Sequence, residues 1–173
     1  MQTAINMKSR TRLAKLIELI LLTMFGVLMY VSQVIMSSLP NIEIVTFLII
    51  VITRKFGVKT LLSVYVFAFC EILTYGIGEW SINYLYVWTI LCFVILCLRK
   101  IDSAVIYSLI AAIYGLLFGT LCSIPYFITL GASGGIAYII NGFRFDLIHC
   151  VGNFVLVLIL YKPITKVMNK IIK

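Results

Sequence analysis

Six apolar runs, roughly 13–38, 41–53, 58–77, 80–98, 104–128 and 145–161, fill most of this 173-residue chain and are broken by few charges. A helix that crosses a bilayer needs about 20 consecutive apolar residues, so most of these runs are long enough to span. With 63% of its residues hydrophobic and 12% charged, the chain is too apolar for a soluble domain. The pattern predicts an all-α membrane protein of six transmembrane helices, a single domain over residues 1–173 embedded in a lipid bilayer. The basic flank ahead of the first run suits a signal peptide, but the apolar part is too long and no small-residue cleavage site follows. It is read as a retained first helix.

The basic residues set the expected orientation. In a six-pass arrangement 13 of the 14 Lys and Arg fall on one side: the residues before the first run, Arg54, Lys55 and Lys59 between the second and third, Arg99 and Lys100 between the fourth and fifth, and the C-terminal lysines. The positive-inside rule makes that side, and both termini, cytoplasmic. The net charge of +8 is then mostly a topological signal, and with no basic run interleaved with stacking aromatics on a soluble face, no nucleic acid is expected as a partner. The five cysteines lie in apolar segments without metal-ligand spacing and read as plain buried thiols.

Glu43, Glu71, Glu79, Arg144, Asp146 and the single histidine, His149, all fall in the opposite, outer half. Each costs about 2.5–3.5 kcal/mol or more in hydrocarbon, so they are expected to face one another or water. The stretch from Pro40 to Thr53 makes about 21 Å of helix against a hydrocarbon core of about 30 Å. This second helix is therefore predicted to start below the outer surface. Pro40 suits its first turn, Asn41 its cap, and Glu43 the positive end of its dipole.

Glu71, Tyr75 and Glu79 recur at four-residue spacing, as do Tyr84 and Trp88, while Asp146, His149 and Asn153 fall at i, i+3 and i+7. Each set predicts a stripe on one helix face. The glycine-rich segment 129–143 is read as a loop able to act as a movable cover, or as an ordinary surface loop. Ala111, Gly115 and Gly119 form a row of small residues that lets a second helix approach, within this chain or in another.

No nucleophile motif, metal-binding pattern or nucleotide-cradling loop accompanies these groups, so no cofactor and no metal are expected and an enzyme is disfavoured, although Asp146 and His149 resemble an acid–base pair. A channel would carry polar groups through both halves. A one-sided polar pocket binds a solute and needs partners to move it. The alternatives are a structural or assembly subunit of a larger membrane complex, or a small intramembrane enzyme.

Four stretches, "LPNIEIVTFLII" (39–50), "YLYVWTILCF" (84–93), "GLLFGTLCSIPYF" (115–127) and "GFRFDLIHCVGNFVLVLILYKP" (142–163), resemble in order and spacing the substrate-specificity (S) component of energy-coupling factor vitamin transporters. The resemblance runs through nearly the whole chain. It implies a multi-pass subunit of a prokaryotic cell membrane that captures a vitamin or vitamin precursor from outside. It also implies docking on a transmembrane coupling subunit driven by two ATPase subunits. In that family an AxxxA pattern on the first helix meets the coupling subunit; here only Thr23 and Gly26 stand in the corresponding stretch, with Ala111, Gly115 and Gly119 as a second candidate face. The expected substrate-binding residues are Asn41, Glu43, Glu71, Tyr75, Glu79, Tyr84, Trp88, Arg144, Asp146, His149 and Asn153. Arg144 is the expected partner of any ligand carboxylate or phosphate.

Overall fold

Nine consecutive residues, Val45 through Thr53, are buried, and a helix buried all the way round must be packed on every side. That helix, α2 (Val45–Phe56), touches α1 (Gln2–Ile35), α3 (Thr60–Tyr75), α4 (Glu79–Cys97), α5 (Ala104–Cys122) and α7 (Gly131–Ile171). The short α6 (Ile124–Thr129) packs on the start of α7. The computed structural model describes residues 2–39 and 42–171, with side chains from Arg12 onward. All regular structure among the described residues is helical.

Among the described residues, five helical stretches are long and apolar enough to cross a membrane: Arg12–Ile35, Val45–Tyr75, Glu79–Cys97, Ala104–Thr129 and Gly131–Ile171. The second is divided at Gly57, whose φ of +65° is open to glycine and strained for other residues, followed by a 3-10 turn at Gly57–Lys59. The freed carbonyls of Arg54 and Lys55 at the end of α2 accept hydrogen bonds from Arg99 at 2.8 and 2.9 Å.

Side-chain contacts give the helix directions. Glu18 pairs with Lys59 at 2.6 Å and Tyr30 with Thr74 at 2.7 Å, so α1 and α3 run together. α4 runs against α3, with Tyr65 on Thr89 and Phe67 on Tyr84. It runs with α2, since Thr53 meets Cys92 and Arg99 meets the end of α2. α5 and α7 are antiparallel, Gly119 against Asp146 and Tyr107 stacked on Tyr161 at 5.1 Å. One end of the bundle thus gathers Arg54, Lys59, Arg99, Asp102 and Tyr161. The start of α2, the start of α4 and the end of α5 lie together at the other.

Three expectations change here. The glycine-rich segment 129–143 is helical from Gly131 onward, not a loop. It extends α7 to 41 residues, about 62 Å, with Gly135 packed closely on Phe127 of α6. The stripe Glu71, Tyr75, Glu79 is broken, since α3 ends at Tyr75, Gly76 takes φ +78°, and Glu79 opens α4. The second helix starts at Val45; the expected roles of Pro40 and Asn41 lie outside the described residues.

Candidate ligand-binding cavity

Glu43 reaches the site from the segment between α1 and α2. Its Oε2 accepts the Thr46 backbone N–H at 2.8 Å, satisfying one of the free donors at the helix start, where the helix dipole also favours a carboxylate. Its Oε1 lies 3.1 Å from Nε2 of His149 on α7. The two side chains are 10% and 3% exposed. Burial alone would raise the Glu43 carboxyl; the His149 hydrogen bond and charge and the Thr46 contacts outweigh it and hold the group below its ordinary value.

Beside this pair lies a cavity of about 290 Å³. α1 and the segment after it contribute Gln33, Met36, Ser37, Leu39 and Ile42; α4 contributes Trp80, Asn83, Tyr84 and Trp88. Phe118 and Cys122 of α5 and Tyr138 and His149 of α7 close the opposite side. Trp80, Tyr84 and Trp88 sit edge to face along one face of α4, at 5.2 and 5.9 Å between ring centroids. Trp88 then meets Phe118 at 5.4 Å, and Phe118 meets the His149 ring at 4.9 Å. The result is a continuous aromatic wall from α4 through α5 to the imidazole. The Tyr86 hydroxyl ties α4 to α5 behind it, 2.8 Å from Asn83 Oδ1 and 2.6 Å from the Leu121 carbonyl.

Four of the expected binding residues, Glu43, Tyr84, Trp88 and His149, line this cavity. Asp146 lies one helical turn from His149 and serves a different contact. Its Oδ1 accepts the Gly119 N–H at 3.0 Å, a carboxylate seated where a Cβ at Gly119 would collide with it. Asp146 lines a neighbouring cavity of about 490 Å³ with Gly119, Asn141 and Gly142; the two cavities share Phe118 and Tyr138 as a common wall. His149 therefore pairs with Glu43 and not with Asp146.

Glu71 and Asn153 are buried, yet neither lines the cavity, and Glu71 Oε1 and Asn153 Nδ2 have no hydrogen-bond partner among the described residues. Tyr75, Glu79 and Arg144 are exposed and outside it, so Arg144 is not placed to meet a ligand acid there. Asn41 lies outside the described residues.

The small-residue rows are taken up inside the chain. Ala111 is fully buried, and a Cβ on Gly115 would stand 2.8–2.9 Å from the backbone of His149 and Cys150. A Cβ on Gly26 would stand 2.6 Å from the Ser63 carbonyl of α3. None of Gly26, Ala111, Gly115 and Gly119 is free to meet another chain. Thr23 is exposed, its hydroxyl bonded back to the Leu19 carbonyl at 2.9 Å.

Gln33, Trp80, Asn83, Phe118, Cys122 and Tyr138 line the cavity without being among the expected binding residues. Trp80 had a signal, since it extends the Tyr84, Trp88 spacing by one turn. Tyr138 had none, because it lies in the segment read as a loop. Comparison with protein families, curated proteins and solved structures gives no match to this chain.

Proposed function

We propose that this chain is the solute-capturing subunit of a membrane uptake system of the energy-coupling factor type. In this reading it crosses the membrane six times with both termini in the cytoplasm, α2 and α3 forming separate crossings joined at Gly57. It takes a vitamin or vitamin precursor from the outer side. A transmembrane coupling subunit and two ATPase subunits carry out the energised step, since the chain has no nucleotide-binding loop.

The observation that carries the reading is the aromatic-walled cavity with the Glu43–His149 pair, at the bundle end opposite Arg54, Lys59 and Arg99. Membrane proteins keep buried ionisable groups where they line a pathway or a binding site. A concave, mostly aromatic pocket with a few polar groups is how small ligands are held.

Catalysis is a poorer account of the same residues. A nucleophile needs a base within hydrogen-bond reach; His149 Nε2 faces Glu43, while its Nδ1 is buried without a partner among the described residues, so Cys122 is not hydrogen-bonded to the imidazole.

The test is native mass spectrometry of gently purified protein, followed by thermal-shift measurements against vitamins and their precursors. A retained small molecule, or a raised melting midpoint that Trp88→Phe diminishes, is the expected result. Protein that carries nothing and responds to nothing points instead to a structural subunit.

A further inference from the structure

From the charge and shape of the cavity we infer that its ligand is a small nitrogen heterocycle, neutral or positively charged, bearing neither a phosphate nor a carboxylate. This rests on the preceding reading that the cavity binds a small molecule.

The first observation is the absence of a fixed cation. Among the described residues that line the cavity, the only ionisable groups able to carry charge at neutral pH are Glu43 and His149, and these face each other at 3.1 Å. If the imidazole is neutral, the pair presents a net negative charge; if it is protonated, the pair is neutral. In neither state is there positive charge to spare. Pro40 and Asn41, outside the described residues, bear no charge by their chemistry. Arg144 is exposed and outside the cavity, and Arg54, Lys59 and Arg99 hold contacts at the opposite end of the bundle. An anionic group brought into this aromatic enclosure would lose its water and meet a carboxylate, with no compensating partner.

The second observation is what the cavity offers instead. Five of its lining side chains are aromatic: Trp80, Tyr84, Trp88, Phe118 and Tyr138. Ring faces attract cations and stack on flat heterocycles. The Gln33 amide and Asn83 supply further polar contact beside the Glu43 carboxylate. At about 290 Å³ the space is at the small end of ligand pockets, room for one or two fused rings.

The experiment uses full-length protein in lipid nanodiscs and ligand-observed saturation-transfer NMR. The probes are pyridines and quinolines carrying an aminomethyl, a hydroxymethyl or a carboxylate group, together with the phosphate ester of each alcohol. At neutral pH the ammonium and alcohol members should bind, the ammonium about tenfold tighter, a difference that one favourable charge contact supplies. Carboxylates and phosphates should give no signal. Glu43→Gln should remove the ammonium's advantage and keep the alcohol.

The wild-type ranking decides the matter even if that variant folds poorly. A carboxylate or phosphate that binds best, and is weakened by Trp88→Phe, overturns the charge inference and leaves the binding cavity standing. If no probe binds and nothing co-purifies, both the inference and the proposed function fall.

Discussion

Glu43 Oε1 and His149 Nε2 meet at 3.1 Å across 106 positions of sequence, joining the start of α2 to the middle of α7. The carboxylate is held on both sides, since its other oxygen accepts the Thr46 N–H. The pair links the most buried helix of the bundle to the longest one, so its protonation state bears on stability as well as on binding.

The pH dependence follows from the sign of the Glu43 shift. Its carboxyl is held below the ordinary value of 4.5. Its contribution is therefore fully present above that value, where the unfolded carboxyl is also ionised, and is lost as pH falls through the lower folded value. The melting midpoint of the wild type should exceed that of Glu43→Gln at neutral pH, and the gap should close as pH falls from 4.5 through the lower folded value. A constant gap between them over that fall would contradict the assignment.

Trp88 tests the aromatic wall. It is 2% exposed and touches Phe67, Tyr84, Tyr114 and Phe118. Trp88→Ala should cost about 3–5 kcal/mol, as large-to-small changes in packed cores do. Trp88→Phe keeps most of the volume and should cost about 1–2 kcal/mol. Denaturation in mixed micelles separates the two.

Packing of α5 on α7 depends on where glycine is required. Gly115→Ala should cost about 1–3 kcal/mol, because its Cβ would press on the His149 backbone at 2.8 Å with no flexible side chain to yield. That push should also loosen the Glu43 contact and weaken ligand binding. Gly142→Ala is the control: nothing lies within 4 Å of its Cβ, and replacing a helical glycine should be neutral or stabilising by up to about 1 kcal/mol. Equal melting midpoints for the two variants would remove the close-approach account.

At the opposite end, the Tyr161 hydroxyl contacts Arg54 and donates to Asp102 Oδ1 at 2.9 Å, beneath an Arg54 guanidinium lying over the Tyr107 and Tyr161 rings. Asp102 is 76% exposed, so Asp102→Asn should change stability by no more than about 1 kcal/mol. Tyr161→Phe removes the hydroxyl between two charged groups and should cost about 1–2 kcal/mol. A larger effect from Asp102 than from Tyr161 would mean that the exposed ion pair, and not the buried hydroxyl, holds this end.

The helical, membrane-type character of the chain was legible in its sequence. Run length and apolarity are local properties, and a backbone in lipid must satisfy its own hydrogen bonds, which leaves helices as the simple solution. The Trp88 and Tyr84 pairing was legible in four-residue spacing; the central placement of α2 was not, because a segment apolar on every face suits lipid as well as a packed core. Side-chain partners were not legible. Spacing puts Asp146 and His149 on one face of α7, but it cannot say that the first meets a glycine on α5 while the second meets a glutamate at the start of α2. That choice depends on the rotation and offset of α7 against two neighbours at once, which the close approach at Gly115 and Gly119 fixes. The segment 129–143 was misread for a related reason: glycine lowers helix propensity locally, and contact with α6 overrides it. The sequence alone determined which groups are costly to place in a membrane; the tertiary packing decided which of them meet, and so where the cavity lies.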